Sequence, residues 1–159
     1  MVETVFVGGA PGASSEWSLG HSKADAFKPN PGSLGWTSGS FITDKPPVYI
    51  WYDFKRQLRP AKISYLPRKS NVDNANAVRV KQFQFVGTDD PGCSKNSDWK
   101  VLCRGESTPY KSLDDERGCT VPVEQNMGAF HCLGLRSLVM SDGGDGEVSL
   151  RGIRIWMYQ

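Results

Sequence analysis

The stretch Val48-Tyr49-Ile50-Trp51-Tyr52-Asp53-Phe54 decides how this chain is read. A strand turns successive side chains to opposite faces, so Val48, Ile50, Tyr52 and Phe54 would line one face and Tyr49, Trp51 and Asp53 the other. The same period of two runs through Lys81-Gln82-Phe83-Gln84-Phe85-Val86, and strands are also expected at 61–66, 99–103, 119–123, 131–138 and 150–158. Between these runs stand turn-formers: Asp44-Lys45-Pro46-Pro47, residues 71–76, Asp89-Asp90-Pro91-Gly92 and Ser141-Asp142-Gly143-Gly144-Asp145-Gly146. Short strands at short spacing, with no long helical period, predict an all-β sandwich or barrel.

At 159 residues the chain has the length of one domain, and no shift of composition or internal repeat marks a second. The expected unit is 1–159, with residues 1–12 as an N-terminal extension or first strand. No apolar run approaches the roughly 18 residues that span a bilayer. The opening Met1–Val7 lacks the basic and long apolar regions of a secretory signal.

A net charge of +2 is too mild to imply nucleic acid or membrane as a partner. Between positions 55 and 81, however, Lys55, Arg56, Arg59, Lys62, Arg68, Lys69, Arg79 and Lys81 face the single acid Asp73. That run is either a solvated strand face with its loops or a face for an anionic ligand. The four cysteines, Cys93, Cys103, Cys119 and Cys132, permit three pairings, or free thiols in a reducing compartment. Paired, they favour an extracellular or cell-surface setting. A zinc site is disfavoured, because no Cys-x-x-Cys exists and His131 beside Cys132 should point to the opposite face of a strand.

Catalytic signatures are missing. There is no Gly-x-Ser-x-Gly and no His-Glu-x-x-His, and only His21 and His131 could serve as a base near neutral pH. The loop Gly8-Gly9-Ala10-Pro11-Gly12-Ala13-Ser14-Ser15 has neither the lysine nor the following helix of a phosphate cradle. The expectation is a non-enzymatic binding module. Sugar rings pack their CH faces on flat side chains, which directs attention to Trp17, Trp36, Phe41, Trp51, Trp99 and Trp156. Trp51, Trp99 and Trp156 lie inside alternating runs and are read as structural, whereas Trp36 and Phe41 sit in a Gly/Ser-rich stretch open to either role.

Several segments, in order, carry a family pattern: Ala24-Asp25-Ala26-Phe27-Lys28-Pro29-Asn30, Gly35-Trp36-Thr37-Ser38, Ile50-Trp51-Tyr52-Asp53-Phe54, Ile63-Ser64-Tyr65-Leu66-Pro67-Arg68, Leu133-Gly134-Leu135-Arg136 and Ile153-Arg154-Ile155-Trp156. Together they resemble the discoidin, or coagulation factor V/VIII type C, domains, and most of all their galactose-binding-like, carbohydrate-binding branch from bacterial sialidases. The resemblance implies an antiparallel jelly-roll β-sandwich whose loops at one end hold a ligand. It also implies that Arg68 donates to ring hydroxyls, helped by Asn74 or Asn76 of the next loop and by Trp36, Thr37 and Phe41.

Two departures qualify what the resemblance implies. Thr37 stands after Trp36 where relatives commonly carry a histidine, which puts galactose preference in doubt. Lys28-Pro29 replaces the Asp-Gly that helps ligate calcium in many relatives, and an ammonium repels a cation. No cofactor is therefore expected, with Asp25 and backbone carbonyls the remaining donors. The partner expected is a glycan or glycoprotein; the alternative is an anionic membrane surface or a protein, on the strength of the basic 55–81 run.

Overall fold

The computed structural model describes residues 1–17, 22–28, 35–39, 45–140 and 146–159. Its strands are β1 (Val2–Glu3), β2 (Ala10–Ala13), β3 (Trp36–Thr37), β4 (Val48–Pro67), β5 (Val80–Thr88), β6 (Lys100–Glu106), β7 (Arg117–Thr120), β8 (Phe130–Met140) and β9 (Ser149–Tyr158). A 3-10 turn, Lys23–Phe27, and one short helix, α1 (Val72–Ala77), join them. Every strand pairing is antiparallel.

The two segments predicted at 48–54 and 61–66 are one 20-residue strand that serves both layers. The first half of β4 pairs with β2 and β8, and β8 continues through β5 to β6. The second half pairs with β7 on one side and β9 on the other, and β9 carries β1 and β3 on its far edge. The change of layer occurs between Asp53 and Leu58, where the register with β8 shifts. There Lys55 takes a left-handed φ of 58°, held by its N–H donating to Asp53 Oδ1 at 2.9 Å and its ammonium pairing with Oδ2 at 2.9 Å.

Alternation then acts as the sequence implies. Ile50, Tyr52 and Phe54, with Ile63 and Tyr65, join Phe83, Phe85, Leu133, Leu135, Leu150, Ile153 and Ile155 in the core between the layers. The other face of β4 is covered as well. Tyr49, Trp51, Val86, Trp99 and Cys132 form a second, smaller cluster on the outside of the first layer, under the 89–99 segment. Trp99 lies 5.6 Å from Trp51 and 5.8 Å from Tyr49, and its indole N–H donates to Ser94 O at 2.9 Å. Gln84 is buried too, its amide oxygen accepting from Arg136 Nε at 2.7 Å.

The cysteines resolve into Cys93–Cys132 and Cys103–Cys119, and none is free. The first bond ties the 89–99 segment to β8, and the second ties β6 of one layer to β7 of the other. At the N-terminus, β1 adds to β9 and β2 adds to β4, so residues 1–12 supply two edge strands. The predicted 119–123 strand ends at Thr120, where Pro122 removes a donor. Residues 71–76, expected as a turn, are instead mostly helix: α1 runs Val72–Ala77 and is capped by Asn71.

Candidate ligand-binding site

Arg68 leaves the end of β4 on a backbone fixed from both sides. Before it, Tyr65 is fully buried and meets Phe83 edge-on, with 5.4 Å between ring centres and 87° between planes. Pro67 then restricts φ. After it, Ser70 N–H donates to Arg68 O at 3.1 Å, Asn74 N–H donates to Asn71 Oδ1 at 2.8 Å, and Ser70 Oγ donates to Asn74 Oδ1 at 2.8 Å. The guanidinium is half-buried, its Nε buried without a hydrogen-bond partner, and it pairs with no described residue. A buried donor left unmet costs on the order of 1–3 kcal/mol.

Asn74 is exposed beside it, and its NH2 makes no hydrogen bond with a described residue. Asn76 differs: its NH2 donates to Tyr110 O at 3.1 Å and its oxygen accepts from Tyr110 N–H at 2.7 Å. The amide is spent on clamping the 107–116 segment, so the expectation of Asn76 as a ligand contact is corrected. Arg79 and Arg151 brace the same segment, through Ser107 O at 3.0 Å and Leu113 O at 2.8 Å.

Trp36 and Thr37 are corrected likewise. Trp36 is 1% exposed in the core with its indole N–H donating to Ser15 O at 2.9 Å, and Thr37 is sealed with its hydroxyl on Ser149 Oγ at 2.8 Å. Neither offers a surface to a ligand: Trp36 lies in the core between the layers and Thr37 is buried on the opposite side of β3. Phe41 lies outside the described residues.

Among the described residues, the tryptophan that stands in solvent is Trp17, 53% exposed. Its N–H donates to Thr37 O at 2.9 Å, Thr37 pairs with Ser149, and Ser149 N–H donates to Val78 O at 3.0 Å just after α1. This relay of backbone bonds connects Trp17 to Val78, the residue that follows α1. Composition marked Trp17 as one aromatic among six; only burial separates it from Trp36, Trp51 and Trp99.

The cations of the 55–81 run do not share a face. Lys55 pairs with Asp53, Arg59 lies over Tyr158 and reaches Val123 O at 3.2 Å, Lys62 lies over Trp156, and Arg79 is buried. At the Lys23–Phe27 turn, the Lys28 ammonium pairs with the buried Asp25.

At the bend of β4, His131 Nδ1 lies 3.1 Å from Asp53 Oδ1 and 3.4 Å from Cys132 Sγ. This overturns the expectation that His131 and Cys132 diverge. His131 falls in the gap of the register, between Cys132 opposite Asp53 and Phe130 opposite Leu58, where no β4 residue pairs with it and its ring can swing onto the sulfurs. Desolvation pulls the imidazole pKa down, but hydrogen bonding to Asp53 and the charge of Asp89 outweigh it, so it stands above the ordinary 6.5. A raised folded-state value stabilises the protein fully below the unfolded pKa, and the gain is lost as pH rises through the folded one. In urea titrations, the stability gap between wild type and His131→Gln should be widest near about pH 5 and narrow by about pH 8; a gap independent of pH would refute the pairing.

No family model matches the sequence, and no curated protein does. Solved structures do. A family 32 carbohydrate-binding module from Clostridium perfringens, in complex with galactose, superposes with a TM-score of 0.71 at 12% identity, over 97% of each chain. An F5/8 type C domain from Bacteroides fragilis gives 0.74 at 8% identity, over 99% of this chain and 97% of that one. Chitosan-binding module 1 of a chitosanase/glucanase from a Paenibacillus species gives 0.68 at 12%, over 95% and 96%. The chain has the antiparallel β-sandwich fold of these discoidin-type and carbohydrate-binding domains.

Proposed function

We propose that the chain is a non-catalytic carbohydrate-binding module that takes a glycan on the rim formed by the end of β4 and α1. The observation that carries this reading is Arg68: a half-buried guanidinium on a hydrogen-bonded turn, with no partner among the described residues. Its planar array of donors suits vicinal hydroxyls or a sugar carboxylate, and the fixed turn reduces the entropy lost on binding. Asn74 supplies an amide donor, and Trp17 a ring for the apolar face of a pyranose.

Structures similar to this one include a module holding galactose and one named for chitosan, which makes a glycan the first ligand class to test. Because Thr37 is sealed inside, the site owes nothing to that position, and the panel should extend beyond galactosides. Lys28 occupies the carboxylate of Asp25, so binding should proceed in EDTA. Two disulfides support an oxidising, extracellular setting.

A glycan array followed by calorimetry in EDTA is expected to give a hit. Arg68→Ala should weaken it at least tenfold, about 1.4 kcal/mol, while the melting temperature stays at the wild-type value. An array without a hit, or Arg68→Ala binding as wild type, rejects the site.

A further inference from the structure

We propose that Asp53, Cys93, His131 and Cys132 form a redox-gated zinc site, independent of the glycan rim, which holds one Zn2+ once the Cys93–Cys132 bond is reduced. Their four ligand atoms already lie within 4.8 Å of one another. Zinc bonds of about 2.3 Å to sulfur and about 2.0–2.2 Å to nitrogen or oxygen give a tetrahedron with N–O edges near 3.4 Å, S–N edges near 3.6 Å and an S–S edge near 3.8 Å. The observed Nδ1 to Oδ1 distance is 3.1 Å, and Nδ1 lies 3.9 Å from Cys93 Sγ and 3.4 Å from Cys132 Sγ. The S–S edge is too short because the two sulfurs are bonded to each other, and the sulfur-to-carboxylate edges, which reach 4.8 Å, must close by about 1 Å once that bond opens.

The surroundings are those of a metal site. Cys132 is fully buried and the other three are partly so. His131 turns Nε2 toward Asp89 at an ion-pair distance of 3.9 Å from Oδ1, and its backbone N–H donates to the same oxygen at 3.1 Å. Closing that gap by about 1 Å would let Asp89, which already accepts from Gln57, also hold the ligating imidazole in its tautomer. Charge also closes: two thiolates and the Asp53 carboxylate balance Zn2+ and the Lys55 ammonium that Asp53 already pairs with.

The gate follows from sulfur chemistry. A disulfide sulfur is uncharged and a poor zinc ligand, which leaves a carboxylate and an imidazole that cannot close a tetrahedron. A small dithiol or a dithiol oxidoreductase passes two electrons and two protons to the bond, leaving itself as a disulfide and Cys93 and Cys132 as thiols. Zn2+ then displaces the two thiol protons. The link between the 89–99 segment and β8 persists, with a metal in place of the covalent bond.

The test uses the full chain, reduced, desalted without air and titrated with Co2+ and then Zn2+. One equivalent of Co2+ should give a thiolate-to-cobalt charge-transfer band with the intense visible bands of a tetrahedral ion, and Zn2+ should abolish both. The oxidised protein should give neither. Cys103→Ser/Cys119→Ser should keep the bands, Cys93→Ser/Cys132→Ser should lose them, and His131→Ala should weaken Co2+ at least tenfold. Should the reduced chain unfold without metal, Zn2+ must restore its far-UV circular dichroism and shield Cys93 and Cys132, but not Cys103 and Cys119, from maleimide. Absence of the bands in folded reduced protein, their indifference to His131→Ala, or equal alkylation of all four cysteines overturns the proposal. None of these readouts involves a glycan, so the site stands or falls apart from Arg68.

Discussion

Trp36→Ala is expected to lower the stability of the domain by about 3–5 kcal/mol, the range for removing a large buried aromatic. The indole is 1% exposed, part of the core shared by both layers, and its N–H holds Ser15 O at 2.9 Å. The cavity would open beneath β3, a strand of only two residues with little pairing to spare. For a chain of this size each kcal/mol shifts the melting temperature by roughly 2–4 °C, so the drop should be roughly 6–20 °C. Trp36→Phe should retain most of the packing and lose about 1 kcal/mol for the hydrogen bond. Thermal and urea unfolding followed by circular dichroism measure both. A variant melting with the wild type would mean that Trp36 is not a core residue and would restore it as a candidate ligand contact.

Cys93→Ser/Cys132→Ser is expected to cost more than Cys103→Ser/Cys119→Ser. The first bond closes a loop of separation 39 and the second one of 16, and chain entropy alone gives about 4 against about 3 kcal/mol. Packing adds to the difference, since Cys132 is fully buried in the cluster of Trp51, Trp99 and Tyr49, whose cover the bond holds in place. Under non-reducing conditions, urea midpoints of the two double variants should fall in that order, with the fluorescence of Trp51 and Trp99 changing only in the first. The reverse order would show that the clasp between β6 and β7 governs stability, and not the cover of the outer cluster.

The strands were legible because β structure repeats every two residues, and a two-layer core demands that repeat be kept at Ile50, Tyr52 and Phe54 and again at Phe83 and Phe85. The bend inside β4 was not legible, since Lys55-Arg56-Gln57 reads as a plain polar turn and the strand resumes in another layer only through the φ of one lysine and a shift against β8. The second cluster was hidden for a related reason. Alternation says that Trp51 and Tyr49 share a face but not that a loop returns from residues 89–99 to cover it.

The site divided in the same way. Arg68 and Asn74 could be picked out by their place after Tyr65-Leu66-Pro67, and the fold leaves the first half-buried and the second exposed. Trp36, Thr37 and Asn76 have equally suitable chemistry, yet their hydrogen-bonding atoms go to Ser15, Ser149 and Tyr110. Local sequence specifies which atoms a side chain carries and which face of a strand it leaves, because both follow from covalent geometry and a short period. Whether those atoms meet solvent, a distant carbonyl or a sulfur depends on segments tens of residues apart, as Asp53, Cys93 and His131 do, and only the closed sandwich brings them together.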